Sequence, residues 1–562
     1  MTTAFQARSD RIWARLMWQV VIVLAVSLPI VSAPASAQPQ PQPPETTVPT
    51  FAELEAAGAR IGDIRILNLD IFDLQDPQEN NALFRLANKL HIQTRPGVIE
   101  RQLLFKSGDP LSERVMEETE RVLRTNRYLY DVRLRPVAYH DGVADIEVLT
   151  RDTWSLDPGV TFGRSGGTNS SSVSLKEYNL LGTGLSVGYG HFNNVDRSGN
   201  EFQAQYNHAF DGRTSLNYSL SNNNDGKRQT ASIVRPFYSL DSRWAAGASL
   251  SQDNRIDSVY SAGALASQYR HRQDAAEVFA GWSNGLVDGW TKRYSIGLSS
   301  RDDSYQLEPG LAAPAQLPAD QKTVAPFVRV EVIEDDFQKL NNRNQMGRPE
   351  FFARGLSTTM QLGRALPSLG SSQDLWLYSA SISKGFSPVA DHDLFASAAV
   401  SGQYGNGQVQ RQLLSTALRY YLPLNKRYLL YGSVSADTLT NPDATDFLTL
   451  GGDTGLRGYP LRYQSGDRRV LLTLEARGYT DLYLYRLFRV GGAVFYDVGR
   501  AWGGPNANTA SAPWLSNVGV GLRIFSVRSA FSNVLHLDIA VPLNRDVGVK
   551  SVQFLVKTKT SF

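Results

Sequence analysis

The chain has 562 residues, of which 42% are hydrophobic and 20% charged, and its formal net charge at pH 7 is +3. This near balance of charge gives no electrostatic reason to expect a nucleic-acid partner. A mean hydropathy of −0.28 excludes a bundle of membrane-spanning helices. Cysteine is absent, which is compatible with an oxidising compartment.

Residues 1–37 have the pattern of a secretory signal peptide. Three arginines precede an apolar run over residues 20–31, and an Ala-Ser-Ala cleavage signal ends at Ala37. Pro29 interrupts the run, which is too short to cross a bilayer. We therefore expect export with cleavage after Ala37; a retained N-terminal anchor is the alternative.

A proline-rich tether over residues 38–59 precedes a small α/β domain over residues 60–154. An insertion over residues 74–96 interrupts this domain, and Asp141-Gly142 marks a hairpin near its end. The predicted elements are a strand at Ile64 and Ile66, helices near residues 83–90, 98–105 and 112–124, and strands over residues 128–135 and 143–149.

Residues 155–562 contain repeated strands in which apolar and polar residues alternate. A soluble sandwich has the same period, but its repetition on an exported chain favours a transmembrane β-barrel. We expect between 14 and 18 antiparallel strands. The clearest apolar faces are Leu216, Tyr218 and Leu220; Trp376, Tyr378, Ala380 and Ile382; Val470, Leu472, Leu474 and Ala476; Phe488, Val490, Val494, Tyr496 and Val498; Val518, Val520, Leu522 and Ile524; and Leu535, Leu537, Ile539 and Val541.

The string GGDTGLRGYP over residues 451–460 interrupts these strands. Its four glycines and one proline exclude the interior of a helix or strand. One interpretation is an ordinary turn. The other is a re-entrant loop that packs inside the barrel.

This loop resembles the lid loop of the BamA/TamA-type outer-membrane assembly barrels, a superfamily that includes the two-partner secretion transporters. The strand over residues 494–499 and the hairpin over residues 518–543 resemble that family's later strands. The resemblance covers the segment from Gly451 to the C-terminus and implies sixteen strands. Residues 60–154 resemble a single POTRA domain, the periplasmic module of this superfamily. The implied location is the outer membrane of a Gram-negative bacterium, with the POTRA-like domain in the periplasm.

The resemblance also implies a site, because the family's lid-loop arginine makes a contact inside the barrel. Alternation places Glu475 and Asp497 on the lumen face, at positions that match the family's, so we expect both to pair with Arg457. The alternative is that these charges line a wet channel without a particular partner. The lid-loop residues assigned by the resemblance are Gly451, Gly452, Leu456, Arg457, Gly458 and Tyr459.

The end of the chain resembles the targeting signal that the cell's barrel-insertion machinery reads. Phe554, Val556 and the terminal Phe562 share one parity. A coincidental last residue is the alternative.

Signals for enzymatic chemistry are poor. The string GRSGG over residues 163–167 matches G-x-S-x-G, but a nucleophile elbow needs a strand-to-helix turn, and this string lies in the first barrel hairpin. Seven scattered histidines and no cysteine give no support for a metal site. We therefore expect no cofactor and no catalysis.

The leading hypothesis is a barrel that inserts, assembles or translocates polypeptides. The expected partners are the outer-membrane bilayer, an unfolded or extended polypeptide, and the insertion machinery during its own assembly; nucleic acid is not expected, and the barrel is expected to be monomeric. The edge strand over residues 128–135 would capture clients by β-augmentation, and Gly159 and Gly163 would weaken the first barrel strand.

Two alternatives stay open. A dedicated two-partner transporter often has a plug helix near its mature N-terminus, which the proline-rich tether cannot supply. A passive pore or structural barrel would need neither the lid loop nor the POTRA-like domain. The sequence does not distinguish protein cargo from lipid cargo.

Overall fold

The computed structural model describes residues 48–347, 349–443, 445–504, 513–528, 533–546 and 549–559. The predicted signal peptide, residues 38–47 of the predicted tether and Phe562 lie outside these residues. The elements below belong to one compact unit that begins at Pro49.

A small α/β domain comes first. Its strands lie in the order β1-β3-β2, with β1 parallel and β2 antiparallel to β3. Asp141 and Gly142 join β2 to β3 with φ values of 50° and 78°, as a type I′ turn requires. Its elements are α1 (Phe51–Ala56), β1 (Arg60–Leu69), α2 (Ala82–Leu90), α3 (Pro96–Glu100), α4 (Glu113–Arg124), β2 (Leu129–His140) and β3 (Val143–Asp152).

The core of this domain extends into residues predicted as tether. Leu54 of α1 and Ala59 are each 1% exposed and pack with Ile99 and Met116. Residues 51–59 therefore belong to the domain, because their apolar side chains complete its core. The helix predicted over residues 98–105 is shorter and ends at Glu100.

Most of the remaining chain forms a closed barrel of antiparallel strands, which confirms the predicted β-barrel. The described residues contribute twenty strands to it. They are β4 (Leu156–Ser165), β5 (Thr168–Leu180), β6 (Leu185–Asn193), β7 (Ser198–Ala209), β8 (Thr214–Asn223), β9 (Gly226–Arg235), β10 (Trp244–Ser261), β11 (Ala264–Val287), β12 (Trp290–Gln306), β13 (Gln321–Glu334), β16 (Ser357–Ala365), β17 (Leu375–Phe386), β18 (Asp393–Gly405), β19 (Gln408–Pro423), β20 (Tyr428–Thr440), β23 (Arg468–Leu484), β24 (Phe488–Trp502), β25 (Leu515–Ser526), β26 (Val534–Pro542) and β27 (Gln553–Lys559).

The expected count of 14 to 18 strands, with sixteen implied by the resemblance, is therefore wrong. The count was too low because the strands are long and the turns between them are short. Two-residue turns such as Ala262-Gly263 and Asp288-Gly289 join strands of 17 to 24 residues, β10 to β12. Those strands are polar on both faces near their ends, so hydrophobic alternation alone does not separate one from the next.

The two faces of the barrel differ in polarity, as the alternation predicts. Outward-facing Val494, Val520 and Ile539 are 60%, 53% and 43% exposed, whereas Asp497 and Arg523 on the lumen face are fully buried. An apolar outer surface is compatible with the hydrocarbon core of a bilayer. In a closed sheet the backbone hydrogen bonds are made between neighbouring strands of the barrel. None of the helices in the described ranges is long and apolar enough to cross a bilayer.

Two connections between barrel strands fold back toward the lumen. We call the barrel end where β4 begins the domain rim and the opposite end the distal rim. The connection from β20 to β23 starts at the distal rim and carries β21 (Leu448–Leu450) paired with β22 (Gln464–Gly466). The connection from β13 to β16 starts at the domain rim and forms the hairpin of β14 (Phe337–Asn341) and β15 (Pro349–Ala353).

Candidate functional site

The lid loop, residues 451–460, packs inside the barrel and is not an exposed turn. Leu456 and Tyr459 are each 0% exposed and pack with Leu515 of β25. Gly455 has φ of +116°, which favours glycine. A Cβ at Gly458 would lie 2.7 Å from the Cβ of Asn517, so these glycines permit the close approach of the loop to the barrel wall.

The structure brings Arg457 together with both carboxylates named from the sequence. Its Nε and Nη2 donate to the two carboxylate oxygens of Asp497 at 2.8 and 2.7 Å, and its Nη1 donates to Glu475 Oε1 at 2.8 Å. The side chain is buried, and the guanidinium carbon lies 3.4 Å from the centroid of the Phe495 ring. A buried, bidentate pair of this kind is geometrically specific and differs from loose charges along a wet channel.

Two contacts of Arg457 were missed from the sequence. Phe495 lies on the lumen face as an apolar exception to the alternation, and Asp538 of β26 lies 3.8 Å from Arg457 Nη1. The sequence contains one signal for Phe495, because it is a large apolar residue two positions before Asp497, on the same face of a strand whose other face is already apolar.

Asp497 is held by further donors, so its position does not depend on Arg457 alone. Thr473 Oγ1 donates to it at 3.0 Å and Asn517 Nδ2 at 2.8 Å. Asn517 Oδ1 in turn accepts from the backbone N–H of Gly458 at 3.0 Å. The site is therefore a closed polar network between the loop and strands β23 to β25, in which the buried polar groups satisfy one another.

The lid loop is also tied to the last strands of the barrel. Lys557 Nζ of β27 donates to the carbonyl oxygen of Gly452 at 2.6 Å. The Tyr459 hydroxyl lies 2.6 Å from the carbonyl oxygen of Asn544, beyond the end of β26. A movement of the loop would therefore alter a hydrogen bond of β27, the strand that closes the barrel.

The residues flanking the lid loop reach across the distal rim. Arg462 forms a two-bond ion pair with Asp196, between β6 and β7, at 2.9 and 2.7 Å. Before the loop, Asp446 accepts from Arg411 Nε of β19 at 2.9 Å. Because these partners lie far apart around the barrel, the connection crosses its mouth.

A second lumen insertion, the β14–β15 hairpin, was missed from the sequence. Met346 near its tip is 2% exposed and packs with Phe525 of β25. The Tyr479 hydroxyl of β23 donates to the carbonyl oxygen of Asn342 at 2.8 Å, and Arg343 Nε donates to Asp393 at 2.8 Å. The available signal was a long polar segment at the domain rim, where barrels ordinarily have short turns.

The hairpin joins the lid network to the α/β domain. Lys339 Nζ lies 3.1 Å from Glu120 of α4, and the guanidinium carbon of Arg121 lies 3.7 Å from the Phe337 ring centroid. At its other end, Arg477 Nη1 donates to the carbonyl oxygen of Arg343, and Arg477 Nε donates to Glu475, both at 2.9 Å. A continuous set of contacts therefore runs from α4 to the carboxylate that Arg457 binds.

The first and last strands meet at a weak seam. Among the described residues, β27 and β4 pair only through Val556 and Arg164. By comparison, the ladder has seven residue pairs between β26 and β27 and ten between β4 and β5. The seam is thus the part of the barrel wall with the fewest ladder pairs among these strands.

The other predicted residues lie apart from this network. Phe554 faces outward and is 56% exposed, and Val556 lies at the seam. The G-x-S-x-G string ends in the two-residue turn between β4 and β5, where Gly166 and Gly167 have φ of 56° and 84°. Gly166 also contacts the backbone of Pro460, so this turn supports the lid loop.

The chain matches no protein-family model and no curated protein. Solved structures that it resembles include BamA and CdiB. BamA from Haemophilus ducreyi lacking POTRA domains 1–3 has 13% identity, with 89% of this chain and 84% of that chain covered and a TM-score of 0.40. CdiB from Acinetobacter baumannii has 13% identity, coverages of 89% and 74%, and a TM-score of 0.45. CdiB from Escherichia coli has 12% identity, coverages of 89% and 76%, and a TM-score of 0.47. At these identities the similarity concerns the fold alone.

Proposed function

We propose that this chain is a bacterial outer-membrane barrel of the BamA/TamA type that inserts, assembles or translocates polypeptides. The observation that carries the proposal is the lid loop, held inside the lumen by Arg457 on Asp497 and Glu475. A loop that is buried, charged and tied to strands on several sides is placed to act as a gate or a brace.

The α/β domain is proposed to be the POTRA-like module that captures clients. β2 is an edge strand of its sheet, and an extended polypeptide can pair with such an edge through backbone hydrogen bonds with little sequence specificity. The proposed function involves no catalysis. The work of transport would come from the free energy of client binding and folding.

The seam gives the client a route into the bilayer. Among the described residues, Arg164 alone pairs β4 across the seam, which leaves most of this strand edge able to template an incoming hairpin. On the other side of the seam, Lys557 of β27 binds the carbonyl oxygen of Gly452 in the lid loop, so release of the loop would loosen the seam. This arrangement favours insertion of barrel proteins.

A second candidate is a dedicated transporter that passes one client through the lumen. The β14–β15 hairpin favours it, because Met346 and Arg343 obstruct the lumen from the domain rim much as a plug would. In this function the hairpin and the lid loop would be displaced in turn as the client passes.

The test is a quantitative comparison of outer-membrane and secreted proteomes in cells with the gene, without it, and with Arg457→Ala. Loss of several barrel proteins in the deletion and the variant would support an insertase. Loss of one secreted protein would favour the dedicated transporter. Unchanged fractions in the deletion would contradict polypeptide transport and favour a pore or a lipid-related role.

A further inference from the structure

Helix α2 and the segment around it are not used by the function proposed above. The insertion over residues 74–96 that contains this helix is held in place by its own contacts. Phe84 of α2 stacks on Phe72 with ring centroids 3.8 Å apart, and Asn88 Nδ2 donates to the carbonyl oxygen of Phe72 at 2.8 Å. Arg528, just after β25, pairs with Glu79 at 2.5 Å. The helix is therefore fixed against the domain rim of the barrel.

Beside the face that holds Phe84, α2 carries an exposed apolar stripe. Leu83, Leu86 and Leu90 recur at helical spacing and are 63%, 51% and 62% exposed, and Ile92 just beyond the helix is 53% exposed. Scattered apolar residues are ordinary on a protein surface, but an aligned stripe of this kind marks an interaction face.

This stripe continues onto the outer wall of the barrel. Leu83, Leu86 and Leu90 line a groove of about 400 Å³ together with Phe488 and Ser526. Phe488 has the parity of outward-facing Val494 on β24, and Ser526 has that of outward-facing Val520 on β25. The groove therefore opens on the same surface that the barrel presents to hydrocarbon, at the level of the domain rim.

The charges on α2 itself have one sign. Between Asn81 and Arg95 the chain carries Arg85, Lys89 and Arg95 and no aspartate or glutamate. An amphipathic helix with leucines on one face and basic residues beside them is suited to the boundary between acyl chains and anionic headgroups.

We propose that α2 is an interfacial helix that inserts Leu83, Leu86 and Leu90 into the bilayer leaflet on the domain side, with Arg85 and Lys89 at the headgroups. Its partner is phospholipid, because the stripe is continuous with the lipid-facing wall. The helix would hold the α/β domain at a set position beneath the barrel. This inference rests on the proposed membrane location and not on the kind of cargo.

The absence of cysteine permits a direct test on the full chain in proteoliposomes. Three single-cysteine variants, Leu86→Cys on the stripe, Val520→Cys on the barrel exterior and His140→Cys, carry a fluorescent probe that is quenched by doxyl-labelled phosphatidylcholine. His140 is the aqueous control, because it lies at the far end of β2 from Leu129, about 36 Å along an extended strand. Heat-modifiable migration in gels verifies that each variant folds.

The expected result is quenching at position 86 within about twofold of that at position 520, since an interfacial helix lies ~5–10 Å into the headgroup and acyl boundary, and no quenching at position 140. Adding phosphatidylglycerol to the vesicles should increase quenching at position 86 only. Quenching at position 520 with none at position 86 would overturn the proposal and leave the stripe to a protein partner. Absence of quenching at position 520 would overturn the membrane location itself and this inference with it.

Discussion

The guanidinium of Arg477 donates a hydrogen bond of 2.9 Å to the main-chain carbonyl oxygen of Arg343. Arg477 also donates to Glu475, the carboxylate that Arg457 of the lid loop binds. One side chain on β23 therefore touches the insertion from the domain rim and supports the insertion from the distal rim. Replacing Arg477 removes the contact with the hairpin but leaves the bonds of Arg457 to Asp497. The two insertions can therefore be tested separately.

Replacing Arg477 by glutamine should loosen the hairpin while the lid loop stays in place. The Arg343 carbonyl and one Glu475 oxygen would lose their donor, and a buried group left without a partner costs about 1–3 kcal/mol. Arg457 would keep its two bonds to Asp497. The measurement is maleimide labelling of Met346→Cys and of Leu456→Cys, each in the otherwise cysteine-free chain.

We expect faster labelling at position 346 and unchanged labelling at position 456. The matched control is Arg272→Gln, whose side chain is 65% exposed and should alter neither rate. Equal labelling of Met346→Cys with and without Arg477 would contradict the role of this contact.

Arg457→Ala should leave the barrel folded but destabilise it by roughly 3–5 kcal/mol, because it removes one partner from a buried ion pair. Adding Asp497→Asn should restore part of this loss, since the uncompensated carboxylate is then gone. Urea unfolding of the single and double variants in proteoliposomes measures both effects. Strictly additive changes would argue that the two side chains do not interact. Arg457→Lys should recover little, because lysine cannot make the two parallel bonds to Asp497.

Shortening the β14–β15 hairpin should raise ion conductance through the barrel. Phe337 to Asn341 pair in register with Pro349 to Ala353, so an Asn-Gly turn in place of residues 340–350 keeps the start of the ladder and removes the tip with Met346. Planar-bilayer recording gives the conductance. An equal shortening of the connection over residues 307–320 is the control at the distal rim. If both changes raise conductance equally, the hairpin does not obstruct the lumen.

A disulfide across the seam should distinguish the two routes for a client. Val556→Cys with Arg164→Cys places the pair at neighbouring ladder positions, where strand spacing is compatible with disulfide geometry. Oxidation should abolish insertion of barrel clients if the seam must open. Ile539→Cys with Phe554→Cys, across the fully paired β26–β27 ladder, is the matched control and should have no effect. Full activity with the seam closed would favour passage through the lumen.

Much of this architecture is readable along the chain, because its determinants are local. Alternation at a period of two assigned the outward and lumen faces of β23 to β26, including the lumen position of Glu475 and Asp497. Glycine and proline content marked residues 451–460 as neither helix nor strand. A helix near residues 83–90 was predicted within the insertion, where the structure has α2.

The tertiary structure decided what depends on contacts between distant segments. The number of strands follows from which segments pair. Two-residue turns hardly interrupt the hydrophobic spacing, so the spacing does not show where one strand ends and the next begins. The path of the β14–β15 hairpin into the lumen depends on Asp393, Arg477 and Tyr479, which lie 50 to 137 positions farther along the chain. The exposure of the α2 leucines likewise follows only once Phe84 has packed on Phe72. Local periodicity specifies which face of an element is apolar, whereas the partner of that face is set by closure of the whole barrel.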